Sequence, residues 1–180
     1  SAIIFSQTFD DAMVNSVLDI PEIAEAEGRS NMTLRIADRN GEWQPVSITA
    51  IPTIDDMKIN QIRPLDDSIE LSLDDREIFI ERTSNALLNV NAGDTVQLLM
   101  PDNKVKELRV SEIVHDVTAF SAVMSGQVNA YVNRETMEWL GGPLYYNQLY
   151  LTVDENKTDE VYIQSVAERA SSKIQKSGRD

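Results

Sequence analysis

The one histidine of the chain, His115, is followed directly by an acid, Asp116. An imidazole oriented by a carboxylate can serve as a general base, but only with a nucleophile or an activated water in reach. His115 closes an apolar, β-type run of Leu108, Val110, Ile113 and Val114, so it reads as a structural or solvated residue at a strand end. A single imidazole also rules out a metal site built from several histidines. The acids Asp66, Asp67, Glu70, Asp74 and Asp75 offer the hard oxygen ligands that calcium prefers. Their spacing lacks the glycine-centred pattern of an EF-hand, and they read as a solvated acidic loop. Asn31-Met32-Thr33 and Asn156-Lys157-Thr158 match the glycosylation triplet, a signal short enough to recur by chance. A phosphate-cradling glycine loop, a Gly-x-Ser-x-Gly elbow and a His-Glu-x-x-His run are all missing from the sequence. A hydrolase using paired carboxylates has no particular spacing behind it among 30 acids. The residues therefore assign no catalytic group, no cofactor and no metal.

One segment does invite contact. Ala119-Phe120-Ser121-Ala122-Val123-Met124-Ser125-Gly126 is apolar, small and uncharged, although it falls between two strands where a polar loop is usual. Either the segment packs on its own sheet, or it meets a partner, and Phe120, Val123 and Met124 are the residues assigned to that contact. Tyr145 and Tyr146, beside Gly141-Gly142-Pro143, are expected to fill a seam between subdomains.

Composition narrows the classes. A chain of 180 residues can bury a substantial core without staples. It has no cysteine, which suits oxidising and reducing compartments alike. A net charge of −14 opposes nucleic-acid binding and flat adsorption to anionic membranes. No run reaches the roughly 20 apolar residues of a membrane-spanning helix, and no signal-peptide pattern opens the chain.

The elements that must position these residues follow from periodicity. Ile4, Phe5, Phe9, Ala12, Met13, Ser16, Val17 and Ile20 recur at three- and four-residue steps and predict an opening amphipathic helix. Strands are expected over 23–29, 32–37 and 43–51, forming a meander whose last turn is Asn40-Gly41. A loop-rich passage follows, with short extended pieces at 58–62 and 69–73, and a strand at 77–81. Residues 85–88 read as a short helix, Gly93-Asp94 as a turn, and 95–100 as a strand. Pro101-Asp102-Asn103 turns the chain into a long return strand through Val114. A helix over 134–140 is stopped by Gly141-Gly142-Pro143. A strand over 148–153 then leads to a closing helix over 158–176, capped by Thr158. Arg169, Lys173, Lys176 and Arg179 make its end basic, which complements the helix dipole or serves a juxtamembrane role. The expected class is α+β, a discontinuous subdomain of residues 1–52 and 143–180 with a β-rich insertion at 53–142.

Several of these pieces carry a family likeness. Leu88-Asn89-Val90-Asn91-Ala92-Gly93-Asp94-Thr95-Val96, then Ile113-Val114-His115-Asp116, then Asn129 through Gly141 (NAYVNRETMEWLG) resemble, in order and spacing, the extracytoplasmic core domain of MacB/FtsX-like ABC transporter permeases. Leu18 through Ala26 (LDIPEIAEA) is similar to that family's entry into its first strand, with Glu22 where a small turn residue is usual. The resemblance covers most of the chain. It implies a porter-like lobe of helices on a sheet, next to membrane helices, and a second, mostly β lobe. It further implies a non-catalytic domain on the outer face of the bacterial cell membrane, excised from between membrane spans. A separate ABC ATPase subunit or domain and a second permease copy would be its partners. Its output would be mechanical, acting on a lipoprotein, peptide or drug, or on an envelope protein. The terminal helices would then be the moving parts, with Phe9, Met13 and Val17 against Val166, Ala170 and Ile174. The other class that the residues leave open is a free-standing secreted binding or adaptor module using the 119–126 loop or the acidic loop.

Overall fold

The structure is a computed structural model that describes residues 1–59, 61–119 and 121–177. In chain order the first half runs β1 (Ala2–Phe9), α1 (Asp11–Leu18), β2 (Ile23–Arg29), β3 (Asn31–Ala37), β4 (Trp43–Ala50), a 3₁₀ turn (Ile54–Asp56), β5 (Arg63–Pro64), β6 (Glu77–Glu81) and α2 (Asn85–Leu88). The second half runs β7 (Thr95–Leu99), β8 (Val105–His115), α3 (Ala122–Ser125), β9 (Val128–Val132), α4 (Arg134–Trp139), β10 (Tyr146–Val153) and α5 (Glu160–Ser177). The mixture is α+β. It divides into a helix/sheet unit, residues 1–30 with 143–180, and a barrel unit, residues 31–142.

The helix/sheet unit is built on a three-stranded antiparallel sheet in the order β1-β10-β2. Residues 2–9 are a strand and not the first turns of a helix. Ile3, Ile4, Phe5, Thr8 and Phe9 are β-branched or aromatic, and they pair with β10 from Ala2↔Leu151 to Phe9↔Tyr146. The helix starts later because Asp10 is extended (φ −120°, ψ −176°) and its carboxylate accepts from Met13 N at 3.1 Å. Val14 and Val17 of α1 and Val166, Ala170 and Ile174 of α5 share one apolar cluster with Ile4, Leu149, Leu151 and Val153. Burying each of the larger aliphatics contributes about 2 kcal/mol. Asp159 caps α5, accepting from Tyr162 N at 3.1 Å, in place of the expected Thr158.

The barrel unit closes on itself. Its strands run β8-β6-β9-β4-β3-β7, and β7 pairs back onto β8, with β5 appended to β8. Closure is possible because β8 is 11 residues long. Its first half pairs with β7 (Val105↔Leu99 to Arg109↔Thr95), and its second half pairs in parallel with β6 (Arg109↔Glu77 to Val114↔Glu81). β4 and β9 form the other parallel pair, Val46↔Val128 to Ala50↔Val132. Side chains alternate accordingly: Leu34 and Ile36, Val46 and Ile48, Ile78 and Ile80, Val96 and Leu98, and Leu108 and Val110 all belong to one interior cluster. Phe79 points the other way and joins a second cluster with Ile51, Met57, Ile62, Val114 and Tyr131. The passage after β4 therefore covers the outside of the barrel wall. Among its described residues it holds only the 3₁₀ turn and β5 as regular structure, so those of the extended pieces expected at 58–62 and 69–73 are not strands.

Two further expectations fail for one reason. Strands 2 to 4 do not form a meander, and the first unit does not extend to residue 52. β2 pairs with β10, while β3 pairs with β4 and β7, so the chain changes sheets across the single residue Ser30. A local sequence of extended residues carries no mark of that change, because β2 takes its partner from β10, more than 100 residues on, while β3 pairs with the adjacent β4. The return crossing lies at Gly142/Pro143.

Candidate partner-contact site

The loop from β8 to β9 is anchored at both ends by buried carboxylates. On the β8 side, Asp116 Oδ1 accepts from Thr118 N (2.8 Å) and Thr118 Oγ1 (2.6 Å), and Oδ2 accepts from the Tyr131 hydroxyl (2.6 Å). On the β6 side, Glu81 is 1% exposed and its Oε2 accepts from Thr83 N (2.7 Å), Thr83 Oγ1 (2.5 Å) and Ser84 N (3.2 Å). Thr83 Oγ1 in turn accepts from Ala122 N at 3.3 Å, which ties the start of α3 to this network. Gly126, at φ 68°, ends α3 with its N–H on Ala122 O.

What this pedestal holds up is apolar. Of the residues assigned to a partner contact, Val123 is 66% exposed and Met124 is 79% exposed, while Phe120 lies outside the described residues. Val117, two residues past the end of β8, is also exposed. Ala122, by contrast, is fully buried and holds the turn down. Because the hydrogen-bonded frame already holds the backbone, a partner covering these side chains would have to order the side chains and not the loop. The sequence signal was the absence of charge from 117 to 133 in a chain with 26% charged residues.

The other chemical candidates are placed otherwise. Asp116 is occupied by Thr118 and Tyr131, so it orients a loop and not the half-buried His115, which pairs with Arg63 in the sheet. The acids at 66–75 are exposed and partly engaged: Asp66 accepts from Ser68 N, and Asp75 from Asn133 Nδ2. The Ser68 amide holds the Asp66 carboxyl below the usual range. Among the described residues no group of three or more acids or histidines gathers to hold a metal. Asn31 Nδ2 donates to Ser47 Oγ and Thr49 Oγ1 inside the β3–β4 pair, which makes its triplet a poor acceptor for a glycan.

Of the basic residues singled out near the end of α5, Arg179 lies outside the described residues, and Arg169 and Lys173 have local work. Arg169 Nη1 bonds Glu22 Oε1 at 2.9 Å, and Lys173 Nζ donates to Ser16 O near the C-terminal end of α1. Four residues apart, they lie on one face of α5 and fasten it to α1 and to the turn before β2. Tyr146 packs within the helix/sheet unit, its ring 5.9 Å from that of Phe9 and its hydroxyl on Asp11, whereas Tyr145 is 59% exposed. A groove runs along β1, where the sequence periodicity predicts a helix.

Among the described residues no helix is long and apolar enough to cross a membrane. No protein-family model and no curated relative matches the sequence. Solved structures do. The extracellular domain of the noncanonic ABC-type transporter YknZ from Gram-positive bacteria superposes with a TM-score of 0.52 at 13% identity, over 91% of this chain and 86% of that one. The periplasmic region of MacB from Actinobacillus actinomycetemcomitans gives 0.52 at 12% identity, over 94% of this chain and 81% of that one. At such identity the likeness is one of fold, and over nearly its whole length this chain has the fold shared by the extracytoplasmic domains of YknZ and MacB.

Proposed function

We propose that this chain is the extracytoplasmic domain of an ABC transporter permease of the MacB/FtsX-like kind. The observation that carries the reading is the match to two such domains across 91% and 94% of the chain, helix/sheet unit and barrel unit together. In this reading the helix/sheet unit is the porter-like lobe beside the membrane, and the domain has no catalytic role. ATP hydrolysis in a separate subunit or domain drives it, within a pair of permease copies. The terminal segments carry the motion: α1 and α5 share one core and are fastened by Lys173 and Arg169, so displacement of either chain end moves both together. The output reaches a lipoprotein, peptide or drug cargo, or an envelope protein, through the barrel unit, where Val123 and Met124, with Phe120 from the sequence, form the contact. The coding sequence on either side of residues 1 and 180 tests this directly. Membrane spans on both sides and an adjacent ATPase are expected; flanks without a hydrophobic span overturn the reading.

A further inference from the structure

The two edges of the sheet in the helix/sheet unit differ in kind. β2 carries Glu25, Glu27 and Arg29, and charges of this sort keep another chain from pairing with an edge. β1 carries none. Residues 1–9 hold no ionisable side chain and no proline, and Phe5 stands 73% exposed among them. Among the described residues β1 has one partner strand, β10.

The β1 ladder also slips. Phe5 pairs with Gln148 and Phe9 with Tyr146, so four steps along β1 answer two along β10. Ser6, Gln7 and Thr8 form the resulting bulge, which takes them out of the ladder with β10 and re-aims their side chains. The bulge borders a groove of about 1300 Å³. Its apolar walls include Phe5, Met13, Tyr145 and Ile174; its uncharged polar lining includes Ser6, Gln7, Thr8 and Gln175; and Asp10 stands at the end where α1 begins.

Each part selects an occupant. A sheet edge offers main-chain donors and acceptors in a row, which suits an extended backbone. The aromatic and aliphatic walls suit alternate apolar side chains. Asp10, with Asp11 next to it and a net charge of −14 behind them, favours a cation at that end and repels phosphates and acidic peptides. We propose that this groove holds an extended peptide segment with small apolar side chains and a cationic residue facing Asp10, added as a strand to β1. The site stands on the geometry of the helix/sheet unit alone and does not depend on the transport reading.

The test uses the full chain and a short fluorescein-labelled peptide of alternating threonine and valine with a lysine at each end, read by fluorescence anisotropy. Saturable binding is expected, weakened about tenfold or more when the terminal lysines become glutamates or when a central residue becomes proline, since a lost charge contact or backbone hydrogen bond is of that order. Phe5→Lys is expected to weaken it by a similar factor with an unchanged melting temperature, because Phe5 is exposed. Backbone amide NMR shifts confined to residues 5–10 and the start of α1 would support strand addition. Absence of saturable binding, equal binding of the glutamate-ended and proline-interrupted peptides, or indifference to Phe5→Lys would overturn the proposal. So would a concentration-dependent dimer that Phe5→Lys abolishes and the peptide does not displace, which would assign the edge to a second copy of the chain.

Discussion

The ring of Tyr146 fills the space that a side chain at Gly28 would need: a Cβ at position 28 would stand 2.2 Å from Tyr146 Cδ2. Gly28 lies on β2 and Tyr146 opens β10, so the absence of one side chain lets the ring lie across neighbouring strands and reach Phe9 on β1. Gly28→Ala is expected to cost about 1–3 kcal/mol of stability, the usual cost of overpacking a fitted site. Urea unfolding would measure it. The loss should shrink in a Tyr146→Ser background, since the double substitution removes the obstructing ring.

Gly93 gives the complementary case. It sits at φ 90° with nothing within 4 Å of where a Cβ would go, so an added methyl meets only its own backbone. Gly93→Ala should cost about 1–2 kcal/mol from dihedral strain alone. Because asparagine tolerates positive φ better, Gly93→Asn should cost less. Equal losses for the two variants in denaturant titrations would mean that φ is not the cause.

Glu22 predicts a pH dependence. The hydrogen bond from the Arg169 guanidinium, and then its own backbone N–H, hold the Glu22 carboxyl below the ordinary glutamate range. A depressed folded value means that the ionised form is favoured by folding. The stability contributed is therefore present above the ordinary glutamate pKa and is lost as pH falls through the lower, folded value. Carboxyl carbon NMR should show Glu22 titrating below its ordinary value in the parent protein and rising toward it in Arg169→Met.

The Glu81 network makes a stronger demand. Glu81→Ala strands the Thr83 amide and hydroxyl and the buried Ser84 amide, and should destabilise the protein by about 3 kcal/mol. Because Thr83 also receives Ala122 N, hydrogen exchange should rise in α3 beyond what the same loss of global stability gives in a barrel-core variant such as Ile48→Val.

Val123 and Met124 behave oppositely. Both are exposed, so Val123→Ser with Met124→Ser should change stability by less than about 0.5 kcal/mol. Under the proposed function, the same double substitution is expected to impair the activity that the protein supports in cells. Parent-like activity with parent-like abundance would remove this loop from the functional account.

Much of the barrel unit could be read locally. Asn40-Gly41, Gly93-Asp94 and Pro101-Asp102-Asn103 are turn chemistry, and they bracket strands whose alternation matches the interior cluster. The uncharged loop at 117–126 was visible for the same reason: composition is a local property. Residues 2–9 were not, because Ile4, Phe5 and Phe9 satisfy a helical step as well as a strand, and the deciding signal was Asp10 as an N-cap. Once that strand is mistaken for a helix, the groove beside it disappears from view. The switch of sheets at Ser30 has no local signature at all, since it depends on β10 for one strand and on β4 and β7 for the next.

Ser30 Oγ donates to Tyr145 O at 3.0 Å, so the point where the chain leaves the helix/sheet unit and the point where it re-enters are hydrogen-bonded neighbours. The 30-residue and 38-residue arms already meet through β2 and β10 without help from what lies between them. The gap left by excising the barrel could be bridged by a linker of a few residues. The frame is thus a docking cassette: any foreign module with adjoining ends could be spliced at this junction, making it a chassis for sensors.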